Sequence, residues 1–198
     1  HAKGAAAMAL EAFAPALAIG LYSEVEVDVG ICTGIESDHL DFHGTPEAYF
    51  SAKARLFEPG RARIGVVNTD DIRGRLLVDA ADGPMVPVGL ADAVDLRAER
   101  DGMHLLWRGV PLHVPLHGRH NVENALLAAE ACRALGIDEE VIAAGLAALP
   151  VVPGRFETFD ATIRRLERIG IAEGGEPIIA SWFVSGRRHP AYALYRKM

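Results

Sequence analysis

The stretch SDHLDFHGTPEAYFSAKARLF, residues 37–57, carries a lysine where a helix should be apolar. Tyr49, Phe50, Leu56 and Phe57 lie at −4, −3, +3 and +4 from Lys53, which are the positions that share one face of an α-helix. Burying an unpaired ammonium is costly, so a lysine on this face needs a partner or a chemical reason. Just upstream, His39 and His43 stand four residues apart among Asp38 and Asp41. Such residue types could hold a metal, although a bare pair of histidines at this spacing equally suits packing or capping a turn. His113, His117 and His120 also have ligand-like spacing, spread over a hairpin and a loop.

These groups need elements to position them. Thr45 is a good N-cap, Pro46 suits the first helical position and Glu47 complements the positive end of the helix dipole. A helix therefore begins at Pro46 and carries Lys53. Val25–Thr33 (VEVDVGICT) and Ala62–Asn68 (ARIGVVN) read as buried strands, the second ending in the polar run TDD. Residues 5–18 look helical, with Pro15 expected to kink or end the helix. Residues 71–80 resume a helical pattern. Residues 85–117 read as antiparallel hairpins. His120–Leu135 reads as a helix capped by Asn121 and stopped by Gly136, and Asp138 caps another that runs to Leu149. Apolar strands alternating with helices predict an α/β fold with a parallel sheet, carrying a small antiparallel β excursion. Ligands in such sheets bind at the carboxyl ends of the strands, where GIESDH and NTDD fall.

The 198 residues suffice for one full domain, or one domain with an appendage, and half are hydrophobic. A net charge of −7 argues against nucleic-acid partners and anionic membranes. Cys32 and Cys132 form no CxxC motif, and no run is long or unbroken enough to span a bilayer, so the expected compartment is the reducing cytoplasm. The chain opens on His1 rather than Met and reads as a fragment.

Four motifs resemble the Mur ligase family, the ATP-dependent enzymes that add amino acids to the peptidoglycan precursor. DHLDFHGTPEAYFSAKARLF is similar to the central-domain signature, VVNTDD to the family's strand end, GRHNVENALLAAEACRALGI to its G-x-x-N-x-x-N-A helix, and VPGRFE to its G-R-x-E motif. The first motif points to the branch that adds the third residue, diaminopimelate or lysine. The resemblance covers Glu11 to Glu157. It implies a central, ATP-binding domain over residues 1–157, in part only, and a divergent tail over 158–198.

The resemblance also implies roles. Lys53 matches the lysine that is carbamylated in the family, and the carbamate helps to hold magnesium. Desolvation favours a neutral amine, the only form that attacks carbon dioxide. His39 and Glu11 align with magnesium ligands, and Asn124 and Arg155 with residues that contact ATP. The implied reaction makes an acyl phosphate on a UDP-N-acetylmuramoyl-peptide, which an amino acid's amine then attacks. ATP and Mg2+ are the implied cofactors.

The sequence departs from the family pattern in three places. No G-x-x-G-K-[ST] phosphate loop occurs in it. The family's Glu-x-Ser-Ser-His-Ala-Leu segment reads Glu11-Ala-Phe-Ala-Pro-Ala-Leu17, and Leu21 stands where a substrate-contacting arginine is usual. The family's Asp-Tyr-Ala-His-x-Pro segment does not follow Glu157. The chain by itself is therefore expected to be truncated and inactive, with ATP bound weakly at best. Two further readings stand beside a ligase core: a non-catalytic remnant that binds nucleotide or protein, and a related polyglutamate- or cyanophycin-type ligase.

Overall fold

Pro15 opens a helix rather than ending one. Its missing N–H would break an interior hydrogen bond but costs nothing in the first turn, where that donor has no intrahelical partner. In the computed structural model, which describes residues 8–35 and 40–149, residues 8–13 are non-helical. Helix α1 spans only Ala14–Ala18, with Pro15 in its first turn.

The described residues divide into two units, with breaks at Gly89/Leu90, Ala125/Leu126 and Ile137/Asp138. The expected boundary at 157/158 and the tail lie outside the described residues. The first unit holds β1 (Val27–Cys32), the short α2 (Leu40–His43) and α3 (Pro46–Ala54), which runs on into a 3-10 turn at Arg55–Phe57. Next come β2 (Ala62–Asn68), α4 (Ile72–Ala80) and β3 (Met85–Val88). The strands lie in the order β1-β2-β3, and both pairings are parallel.

Residues 85–88 were expected to begin the antiparallel region, and they instead complete the parallel sheet. The reason is the connection: α4 supplies the long crossover that parallel pairing with β2 requires, where a tight hairpin would have given an antiparallel pair. Pro87 fits because, among the described residues, β3 has no strand on its far side, so its missing donor breaks no ladder there. The central strand, β2, is buried over four consecutive residues, Gly65–Asn68, as a strand covered on both faces must be. The core of this unit joins Cys32 and Val67 from the sheet to Tyr49, Ala52, Phe57 and Leu77 from the helices and the 3-10 turn.

The second unit holds β4 (Val94–Glu99), β5 (Gly102–Trp107) and β6 (Val110–Val114), an antiparallel meander in that order. This is the expected excursion. Helix α5 (Arg119–Ala134) crosses from the second unit into the first, and α6 (Glu139–Ala147) packs on β6. Gly136 ends α5 in the left-handed region, at φ +81°, as its position predicts. Asn121 does not cap α5. It lies inside the helix, and its Nδ2 donates to the His117 carbonyl at 2.7 Å, so the amide serves an acceptor before the helix rather than a free N–H. Asp138 occupies the N-cap position of α6 with extended backbone but makes no side-chain cap bond. Among the described residues, no helix is long and apolar enough to cross a membrane.

One glycine sets how closely α4 approaches the sheet. A Cβ at Gly74 would sit on the Asn68 carbonyl oxygen, with the Asn68 carbonyl carbon 3.0 Å away. Both obstacles are backbone, so neither can rotate aside. Gly74→Ala should therefore cost about 1–3 kcal/mol by over-packing, measured by denaturant unfolding. A variant as stable as the parent would show that α4 is free to shift outward.

Candidate functional site at the carboxyl ends of the strands

Helix α3 is held where the sequence expects it. Thr45 has extended backbone and its side chain accepts from the Ala48 N–H at 3.1 Å, while Pro46 and Glu47 fill the first turn. This start fixes the rotation of the helix. Tyr49 and Ala52 are buried, Phe57 follows them into the core, and Phe50 and Leu56 pack at its edge. Lys53 is half-buried between them. Its Nζ donates to the Gly34 carbonyl at 2.7 Å and stands 5.0 Å from the centre of the Tyr49 ring. Lys53 thus reaches the end of β1, and its partners among the described residues are neutral: a carbonyl oxygen and an aromatic face.

Three other side chains converge on the same short loop. Asn68, at the end of β2, donates from Nδ2 to the Thr33 carbonyl at 3.2 Å, and its Oδ1 accepts from the Asp70 N–H at 2.9 Å. Asp71 caps α4 by accepting from the Arg73 N–H at 2.9 Å. Its other oxygen accepts from the Ile35 N–H at 2.7 Å. Arg73 donates from Nη1 to the Ile35 carbonyl at 2.8 Å. Residues 33–35 are therefore tied to α3, β2 and α4 through four side chains. Cys32 lies directly before them. Burial pushes its thiol above the ordinary range, and the nearby Lys53 and a hydrogen bond at Gly34 act in the opposite direction.

Sequence reading places Lys53 here, and takes Asn68 and Asp70 only as a strand end. It does not foresee Asp71 and Arg73 as the pair that grips Ile35. A signal was present: Asp71 is the first residue of the 71–80 helical pattern, a residue type that favours the N-cap. His43 packs, its ring edge-on to Phe42 at 4.9 Å and to Tyr49 at 5.2 Å, and its buried Nε2 has no hydrogen-bond partner among the described residues. His39 and Arg155 lie outside the described residues. Glu11 is exposed ahead of α1, and its carbonyl accepts from the Tyr22 hydroxyl at 3.3 Å. No contact among the described residues joins its carboxylate to Lys53. Asn124 is exposed on α5, in the second unit.

The histidines at 113, 117 and 120 do not form one cluster. His117 Nε2 pairs with the Glu99 carbonyl at 2.8 Å, and His120 faces Glu123 at 3.5 Å. His113 instead meets His104 and Asp101. Chain spacing suggested the wrong triple because the strand register, not the sequence interval, decides which histidines meet.

A parallel α/β sheet thus receives a helix-borne lysine at its loop ends, where such sheets bind their ligands. The Mur ligase middle domain matches residues 1–132, and the chain belongs to that family. Among curated relatives it is 38% identical over 171 residues to the UDP-N-acetylmuramoyl-L-alanyl-D-glutamate--2,6-diaminopimelate ligase of Streptomyces coelicolor, covering 80% of this chain and 34% of the relative. It is 34% identical over 192 residues to the ligase of the same name from Xanthomonas campestris, covering 90% and 37%. The chain thus spans about a third of the length of these curated relatives. A solved structure of a ligase of that name is similar with a TM-score of 0.69 and 27% identity, over 85% of this chain and 40% of the other. MurF from Acinetobacter baumannii shares the fold, with a TM-score of 0.58 and 22% identity, over 67% of this chain and 31% of that one.

Proposed function

We propose that this chain is the central part of an ATP-dependent, cytoplasmic ligase that joins an amino acid to a UDP-N-acetylmuramoyl-peptide during peptidoglycan synthesis. The added residue is of the diaminopimelate class, which rests on the names of the relatives. The observation that carries the reading is the direction of Lys53. An amine on a buried helix face reaches the strand ends, and no carboxylate among the described residues ties it up as an ion pair.

The donors gathered at the strand ends fit magnesium, which prefers oxygen ligands. The Gly34 carbonyl and Asn68 Oδ1 supply oxygens around the loop that receives Lys53. In this reading Lys53, once carbamylated, holds the ion together with His39 and Glu11, and Asn124 and Arg155 bind ATP. The exposure of Asn124 leaves it accessible to a ligand. Bound magnesium would supply positive charge for the phosphoryl group that moves from ATP to the substrate carboxylate, making the acyl phosphate. The protein's own task is to orient. The Gly34 carbonyl and the Tyr49 ring hold the lysine amine at one point, and the grip on residues 33–35 fixes the loop that leads to His39.

Taken alone, the 198 residues contain no phosphate loop motif, whose backbone amides and lysine would balance several negative charges. The isolated chain should bind magnesium-ATP more weakly than micromolar by calorimetry, and a micromolar or tighter constant would contradict this. The main test is Lys53→Met. The variant loses one hydrogen bond to a carbonyl and keeps an apolar side chain in an apolar stripe, so stability should change by no more than about 1 kcal/mol. The same change in a full-length relative should abolish magnesium-dependent ligation, with partial rescue by a short carboxylic acid. Full activity in that variant would remove Lys53 from the chemistry.

A further inference from the structure

We propose that Asp101, His104 and His113 form a binding site for one borderline divalent transition-metal ion of the zinc class, on the outward face of the second unit's sheet. The strands build the site through their alternation. Met103, Leu105 and Trp107 of β5 and Leu112 and Val114 of β6 are buried, so His104 and His113 stand on the opposite face. The antiparallel register sets these two residues directly across from each other. Their rings stack at 4.6 Å between centres and 15° between planes.

The third ligand comes from the turn. Glu99 pairs with Gly102, so β4 and β5 are joined by Arg100 and Asp101 alone, and Asp101 is delivered beside the histidine pair. Its Oδ1 lies 2.9 Å from His104 Nε2 and its Oδ2 3.5 Å from His113 Nε2. The His113 Nε2 is also 3.1 Å from the Asp101 carbonyl. One donor atom from each residue lies within 4.8 Å of the other two. Zinc bound at about 2.0–2.1 Å needs donors roughly 3.3 Å apart, so the two rings must turn out of their stacked arrangement until both in-plane lone pairs meet the ion.

The chemistry selects the ion. Two imidazole nitrogens with one carboxylate suit zinc, copper or nickel, whereas magnesium prefers oxygens and retains its waters. Asp101 is exposed, which leaves the remaining coordination positions to water. Without metal, two ring nitrogens share a single carboxylate through bound protons; an ion would replace those protons and use both rings as neutral donors. Two cations oppose binding: Arg97, the register partner of His104 on β4, and Arg100, beside Asp101 in the turn. A filled site would strengthen the tie between the β4–β5 turn and β6 that His113 already makes with Asp101.

The test is calorimetric titration of the 198-residue chain with zinc chloride, carrying Cys132→Ser so that the partly exposed thiol does not compete. One equivalent should bind, and excess magnesium should not displace it. Either His104→Gln or His113→Gln should weaken binding by at least about tenfold, Asp101→Asn should weaken it as well, and His120→Gln should leave it unchanged. Hydrogen exchange on the unsubstituted chain gives a readout that does not depend on any variant folding. Zinc should slow exchange at residues 99–104 and 112–114. The proposal is overturned if zinc does not bind, if both glutamine variants bind as tightly as the parent, or if exchange in those two segments is unaffected.

Discussion

The structure of the first unit depends on how residues 33–35 are held. A chain leaving the end of a parallel strand loses its ladder partners, yet here it remains inside: Ile35 is only 1% exposed. The N–H and C=O of Ile35 must therefore find partners among side chains, because an unpaired buried N–H or C=O costs about 1–3 kcal/mol, whereas the carbonyls of the exposed Thr33 and half-buried Gly34 remain within reach of water. Asn68 takes the Thr33 carbonyl, Lys53 the Gly34 carbonyl, and Asp71 and Arg73 take the two sides of Ile35. The four partners come from three places: the end of β2, helix α3 and the start of α4. Satisfying one short loop thus fixes three elements around the point where a parallel sheet binds its ligands.

Lys53 belongs to this network and is the residue to which the proposed chemistry is assigned. The same helix start that buries Tyr49 points the lysine at the loop, so packing and placement of the amine share one cause. Gly74 serves the same end from the other side. By letting α4 approach the Asn68 carbonyl, it brings Asp71 and Arg73 within reach of Ile35. A neutral pair of partners, a carbonyl and a ring, orients the amine without neutralising it through a carboxylate.

Much of this was legible in the sequence, for local reasons. Strand β2 runs from Ala62 to Asn68 as its apolar, β-branched run predicts, and Thr45-Pro46-Glu47 announces α3 through capping chemistry alone. What escaped the sequence depends on partners distant along the chain. Pro15 opens a helix because of where α1 begins, and β3 joins the parallel sheet because of the route taken through α4. Asn121 was expected to cap α5 but answers a carbonyl instead. Within the candidate site, the helical period found Lys53, since its neighbours are three and four residues away. The grip of Asp71 and Arg73 on Ile35 spans 36 and 38 residues, an interval with no periodic signature. The Asp101, His104 and His113 cluster escaped for a related reason: strand register brought together histidines that the intervals 113, 117 and 120 did not.

Site-resolved hydrogen exchange on Asp71→Ala tests the central claim most directly. The substitution removes the α4 cap and the acceptor for the Ile35 N–H together. The account predicts a stability loss of about 2 kcal/mol. It also predicts that exchange at the Ile35 amide accelerates by more than at Val66 and Val67 in the neighbouring strand, which report global opening. An Ile35 amide that speeds up only in step with those two, in a variant of unchanged stability, would show that the loop is held by something other than these side chains.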